Sequence, residues 1–476
     1  MARSLALAVF ALFVAGVAAA RVGHAAEADK PAAPAGKISY FRDVRPLLQA
    51  HCQGCHQPAK AQGGYVMTNR EGMFKGGESE SAAIVPGKPA ESHLVEQITL
   101  ADGKAAMPKD KPPLHEDEIK KISQWIAEGA EDDTPASVSV TIDAEHPPTY
   151  EAPPVITALE FSPDDTLLAV SGYHETLLHK ADGSELVARL IGQSERIEST
   201  AFSPDGKLLA VAGGSPGRLG ELQVWDVAKR ELKYALAVTY DTIYGASWSH
   251  DATKIAFGCG DNTLRAVNAE DGKQVLYQGA HSDWVLDTVF SKEGTYLISV
   301  GRDRSMKLVE VATQRFVDNI TSITPGALKG GLDAVDRHPT KDELLIGGAD
   351  GIPKTYQMLR TQDRKIGDDF NKIKAYDAVP GRIYDIDFGA DGSRFVVGSS
   401  LNGTGEVRVY ETDSGKLLAK MEGQHGAVYA VCLNTAGTVA ASAGFDGLVR
   451  LNDATTGKLI KEFSPAPLGS AKVAAN

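Results

Sequence analysis

Cysteine is scarce in this chain, four residues in 476. That scarcity excludes a disulfide-built scaffold, in which cysteines are dense along a short secreted chain. Basic charge is in deficit as well, with 49 Lys and Arg against 62 Asp and Glu and a formal net charge of -13. Phosphate backbones are bound by clustered Lys and Arg, so no nucleic acid is expected as a partner. Long apolar runs are missing beyond the N-terminus. The single run, Leu5 to Ala20, follows Arg3 and is trailed by small residues at Ala18 to Ala20 and at Ala25-Ala26. It is shorter than the about 20 residues of a spanning helix. Its layout is that of a secretory signal peptide at residues 1–26, with an uncleaved anchor as the other reading. The mature chain is then expected to begin near Glu27, to carry no transmembrane segment, and to be exported to the periplasm.

What is present starts with two of those cysteines, in Cys52-Gln53-Gly54-Cys55-His56. Thiols three residues apart lie about one helical turn from each other, with 3.6 residues to a turn. Both can therefore reach the vinyl groups on one edge of a porphyrin, with the His56 imidazole beneath the iron. C-x-x-C-H reads as covalent haem c attachment, whereas C-x-x-C alone would suggest thiol redox or zinc chemistry. Neither a βαβ pattern nor a second cysteine pair supports those alternatives. The remaining Cys259 and Cys432 sit in separate apolar, β-rich segments. A bridge would need their Cα atoms within about 7 Å, and buried free thiols are expected instead.

Residues 37–132 read as a small all-α domain around that motif. Asp43 is the expected cap of a first helix, with Pro46 tolerated in its first turn and Phe41, Val44, Leu47 and Leu48 on its apolar side. A second helix is expected over Glu116 to Glu128, because Ile119, Ile122, Trp125 and Ile126 form one amphipathic stripe and Gly129 suits its C-terminal end. The two helices are expected to cross beside the haem, and the apo form to be poorly folded. Met107, 51 residues after His56 and followed by Pro108, is the candidate distal iron ligand. Proline biases it towards an extended loop, and His/Met ligation is usual in cytochromes c. His51, His93 and His115 compete for that role. Met67 and Met73 lie close behind the motif and read as packing residues.

These landmarks have an order. Phe41 to Leu48, the Cys52 to His56 motif, Gly63-Gly64, Gly76-Gly77, Ile84 to Pro89, Met107-Pro108 and Trp125 to Ala130 resemble the class I-like cytochrome c domain of planctomycete secreted proteins. The resemblance implies haem bound covalently through Cys52 and Cys55, with His56 proximal and Met107 distal. The chain departs from the pattern at Glu78-Ser79-Glu80 and at His115, which replaces a Ser or Thr cap.

Residues 133–154 shift to Asp, Thr, Pro and Ser and read as a linker, with a possible edge strand at Ser137 to Ile142. From residue 155 to 466 the chain repeats. Phe161-Ser162-Pro163-Asp164 recurs at Phe202, then in weakened form at Trp248, Phe290, Arg337, Phe388 and Leu433, seven units spaced by 41 to 51 residues. A period of about 40–45 residues with four short strands marks an all-β propeller blade. The units resemble WD repeats, although Trp225-Asp226 is the only intact dipeptide. Residues 467–476 read as a disordered tail.

Two sets in the repeats imitate hydrolase triads: His281, Ser299 and Asp303, and His425, Ser442 and Asp446. Duplication at equivalent positions argues for buried structural hydrogen bonds instead. Gly213 to Gly217 matches G-x-S-x-G, but in a hairpin without the strand-turn-helix setting of a nucleophile. Channel-facing positions of the innermost strands read as largely apolar or small. The whole reads as a multi-domain electron carrier that uses its propeller to dock a redox partner, a protein by expectation. The alternative is a redox enzyme whose propeller holds a substrate or second cofactor. Irregular loops at 215–220, 357–380 and 401–405 are candidate docking surfaces.

Overall fold

The computed structural model describes residues 37–134 and 142–469, apart from 58, 59, 69, 102, 110, 325–327 and 366. The expected signal peptide, nearly all of the expected edge strand and residues 470–476 lie outside the described residues. Among the described residues no helix is long and apolar enough to cross a membrane.

Residues 37–134 form a small, mainly helical region. A helical turn, Tyr40–Val44, continues into α1 (Arg45–His51). The cap is Ser39 and not Asp43. Ser39 Oγ accepts from Arg42 N and Asp43 Oδ2 accepts from Ser39 N, both at 3.0 Å, so the two side chains satisfy free amides reciprocally. Short helices α2 (Arg70–Lys75) and α3 (His93–Ile98) follow, then α4 (Glu116–Ala127). The α4 stripe buries Ile122, Trp125 and Ile126. His115 precedes it as expected, with Glu118 Oε2 accepting from His115 N at 2.8 Å, and Gly129 ends it at φ 102°, a backbone conformation that glycine adopts without strain. The first turn meets α4 where Tyr40 stacks on Trp125, ring centroids 5.2 Å apart. A ladder of two-residue strands, His56–Gln57 and Lys60–Ala61, is the exception to the all-α expectation.

The later part of the linker is pinned. Tyr150 Oη donates to Glu175 Oε1 at 2.6 Å, and Arg189 holds both oxygens of that carboxylate at 2.7 Å. Tyr150 also bridges Leu468, so the first residues of the expected disordered tail are ordered.

The remaining strands form antiparallel sheets of the WD blade type. Five have four strands and start at Ile243–Trp248, Val285–Phe290, Leu332–Arg337, Arg382–Phe388 and Val428–Leu433. The other has seven, because the 17-residue strand Leu186–Phe202 ends one four-strand unit and begins the next. Leu459–Phe463 supplies the last strand of the last sheet. Apolar clusters fill the gaps between successive sheets, and one joins Leu159, Phe161 and Leu168 to Cys432, Ala441 and Leu451. There Ile156 N donates to Gly444 O at 2.9 Å, and Asp165 accepts from Thr435 N at 2.7 Å.

Neighbouring first strands are stitched by side chains. Asp287, Asp385, Asp336, Asp387 and Glu160 accept from the backbone N of Val335, Val431, Phe388, Leu433 and Phe202 at 2.6–2.8 Å. Each carboxylate thus gives a backbone amide of the neighbouring first strand an acceptor.

Candidate functional site

α1 runs into the turn that carries the motif. Cys55 N and His56 N both bond back to Cys52 O, at 3.1 and 3.2 Å, and the buried Gln53 anchors the turn by donating to Met67 O at 3.1 Å. Cys52, Cys55, His56 and Met107 all line one cavity of about 720 Å³. The distal loop is tied across it by Met107 N donating to Gln97 O at 2.9 Å. Two glycine loops close one wall: Glu78 N donates to Gly63 O at 2.7 Å, and a Cβ on Gly77 would sit 2.1 Å from that same carbonyl. The expected packing of the first helix against α4 is observed, where Tyr40 stacks on Trp125, but α4 itself does not line the cavity; the lining comes from 51–56, 62–67, 76–83, 93–98, 107–109 and 111.

The competitors are distributed unevenly. His51 and His93 line the cavity but face Glu118 (3.5 Å) and Glu96 (2.9 Å), whereas His115 lies away from it at the start of α4. Met67 is a fully buried wall residue, and Met73 packs in the core behind.

The donor chemistry suits a porphyrin. His56 Nδ1 lies 3.1 Å from Gln62 O; a carbonyl only accepts, so Nδ1 carries the proton and Nε2 keeps its lone pair. Burial lowers the His56 pKa against the opposing pull of that carbonyl, which keeps the ring neutral. Burial pushes the Cys52 thiol up to about 12, opposite to the depressed values of redox-active thiols. Among the described residues no group of three or more His, Cys, Asp or Glu could hold a bare metal ion. A porphyrin brings its own equatorial nitrogens and asks the chain for axial donors alone. The volume falls within the roughly 300–1,000 Å³ of cofactor pockets. Sequence reading missed Tyr65, whose ring lies 5.2 Å from that of His56 and whose hydroxyl donates to Met73 O at 2.8 Å.

A second cavity, about 670 Å³, is lined by the first strand of every four-strand unit. Its expected apolar or small lining is overturned. Glu160, Glu198, Asp287, Asp333, Asp336, Asp385 and Asp387 all line it, with no Lys, Arg or His among the described lining residues. Burial, reinforced by neighbouring carboxylates, pushes Glu160 up to about 8 and Asp385 up to about 7, and raises Asp287 and Asp387; Asp336 is raised by burial against the pull of Arg337. A signal existed in the sequence: Glu160, Asp336 and Asp387 each stand one residue before a repeat landmark.

The triad imitations resolve differently. His281 bonds Asp303 (3.0 Å) and Ser299 (2.8 Å) inside its sheet, a buried structural network. In the last sheet His425 is exposed; Gln424 donates to Ser442 Oγ at 2.9 Å and Asp446 pairs with Arg450 at 2.7 Å. Ser215 of the G-x-S-x-G match is buried at a hairpin end. Cys259 and Cys432 are free, buried thiols in different sheets, as expected.

A family model described as Planctomycete cytochrome C matches residues 52–111, and one described as WD domain, G-beta repeat matches 184–226, 272–310 and 415–453. The chain is also similar to proteins described as Eukaryotic translation initiation factor 3 subunit I. It is 24% identical to that of Kluyveromyces lactis over 264 residues, 53% of this chain and 63% of the relative. It is 22% identical to that of Candida glabrata over 271 residues, covering 54% and 65%, and 23% identical to that of Aspergillus oryzae over 308 residues, covering 62% and 78%. The chain thus spans just under two thirds of the first two relatives. The two family matches divide as the structure does, one on the cavity-bearing helical region and one on the sheets.

Proposed function

We propose that this chain is a periplasmic monohaem c-type cytochrome that transfers single electrons and docks a partner protein on a closed, seven-bladed WD-type propeller. The observation that carries the reading is the convergence of Cys52, Cys55, His56 and Met107 on one cavity. Cys52 and Cys55 would hold the haem by thioethers, His56 Nε2 would be the proximal ligand and the Met107 thioether the distal one. The bound haem supplies one-electron chemistry at its iron. Gln62 O fixes the His56 tautomer and ring direction, as outer partners of metal-bound histidines do. Tyr65 packs against that ring, and Leu94 and Ile98 add apolar lining to the same cavity. With His56 and Met107 both serving as donors, this chain would leave no place on the iron for a substrate. Domain limits of 37–132 and 155–466 and export through residues 1–26 belong to the same reading. Ring closure is supported by the contacts of the first strand with the last sheet.

The redox-enzyme alternative is favoured by one observation, the carboxylate-lined axial cavity, which could hold a substrate or second cofactor. Visible and near-infrared spectra of the haem-loaded chain, with carbon monoxide added to the reduced form, test the choice. A low-spin, carbon monoxide-resistant spectrum with a methionine charge-transfer band that disappears in Met107→Ala is expected. A high-spin or carbon monoxide-binding wild type would overturn the Met107 assignment and favour the enzyme.

A further inference from the structure

The first strands of five units break register at the same step: between Ile197 and Ser199, Val285 and Asp287, Leu332 and Ala334, Ile383 and Asp385, and Val428 and Ala430. A bulge leaves one residue unpaired and re-aims its side chain. The residues skipped are Glu198, Leu286, Asp333, Tyr384 and Tyr429, and every one lines the axial cavity. Repetition of the bulge therefore builds a collar at one end of that cavity. The carboxylates deeper in the cavity each commit an oxygen to a neighbouring strand, which leaves the collar as the part available to a ligand.

The collar's chemistry is that of cation recognition. Tyr384 and Tyr429 pack edge to face, centroids 5.1 Å apart, and tyrosine faces attract cations. One guanidinium is already held there: Arg382 Nη1 lies 2.9 and 3.1 Å from the two Asp333 oxygens, with its charge 6.0 Å from the Tyr384 ring centroid. At Glu198 the nearby cation is Arg196 of its own strand, whose charge opposes the rise that burial gives the carboxyl, and Arg196 is not among the residues lining the cavity. Independently, Thr200 lines the same cavity while its hydroxyl, on a residue 9% exposed, has no partner.

We infer that the collar receives a lysine or arginine side chain from a basic segment of a partner protein, with Glu198 as its counter-ion, the Tyr429 ring beside it and Thr200 as a nearby polar contact. The chain's net charge of -13 favours such a partner. This deepens the docking half of the proposed function and is independent of the haem.

The test is calorimetric titration of the haem-loaded full chain with a short peptide carrying one central arginine, with its glutamine counterpart, and with magnesium chloride. Binding of the arginine peptide is expected, weakened by added salt. Replacing arginine by glutamine, or Glu198→Gln, or Tyr429→Ala, is expected to weaken it about tenfold, the size of one cation contact in a partly desolvated site. Thermal midpoints of both variants are measured alongside; if Tyr429→Ala fails to fold, Glu198→Gln decides. Equal binding of the two peptides, an unaltered Glu198→Gln, or binding of magnesium without the arginine peptide overturns the inference. Peptide binding without a haem c spectrum sinks the electron-carrier reading alone, and a haem c spectrum without peptide binding sinks this one alone.

Discussion

In the helical region, Leu48, Met67, Ile98 and Trp125 are buried around or behind a cavity of about 720 Å³. In the sheets, Leu168, Phe257 and Phe395 are equally buried but pack directly against neighbouring strands, with carboxylates stitching one unit to the next. The first region encloses space that its own side chains leave unfilled. The second is filled by its chain but concentrates negative charge on its axis. Stability of the first should therefore follow its occupant, and stability of the second should follow pH.

The largest effect expected is on the helical region. Cys52→Ala with Cys55→Ala should prevent haem retention and melt the helices of 37–134, because a region this small buries too little surface to be stable around a void. The propeller's thermal transition should remain. Circular dichroism and calorimetry of the variant check this; joint loss of both transitions would break the comparison.

Next is the pH response of the sheets. Glu160 (about 8) and Asp385 (about 7) stand above the ordinary unfolded values of about 4.3 and 3.9. The native state thus holds protons that the unfolded chain has released. This contribution is fully present below about pH 4, declines as pH rises through the native values, and is flat above about pH 8. The propeller's midpoint should fall between pH 5 and 8, and Asp336→Asn should flatten that slope, since Asp336 raises Glu160, Asp287, Asp385 and Asp387 together. A midpoint independent of pH would contradict the argument.

Asp336→Ala separates charge from hydrogen bonding. It leaves Phe388 N without its acceptor and should cost about 1–3 kcal/mol, whereas Asp336→Asn retains an acceptor. Denaturant titration of the two variants gives the difference. The smallest contrast lies within the repeats. His281→Ala should destabilise by about 1–3 kcal/mol through Ser299 and Asp303, while the exposed His425→Ala should stay within about 0.5 kcal/mol.

Cys52, Cys55 and His56 were legible because their spacing is local, and the α4 stripe likewise needs only nearby residues, whereas Met107, 51 residues beyond His56, rested on its proline-flanked loop. Misplacing the first cap at Asp43 came from a reciprocal pair, in which Ser39 caps and Asp43 answers four residues later. The axial carboxylates were missed for another reason. They come from five first strands spread from Glu160 to Asp387 and converge only when strands are placed side by side, so alternation along one strand does not show what faces them. Gln424 standing in for His425 is a third kind of miss, since a shared motif does not fix which neighbour reaches Ser442.

The most direct measurement is the mass of the denatured, haem-loaded chain beside its alkaline pyridine spectrum. A chain one haem heavier, with the spectrum of a thioether-linked haem and loss of both signals in Cys52→Ala with Cys55→Ala, is the result expected. An unmodified chain from cells competent in haem attachment, or haem released on denaturation, would contradict the account.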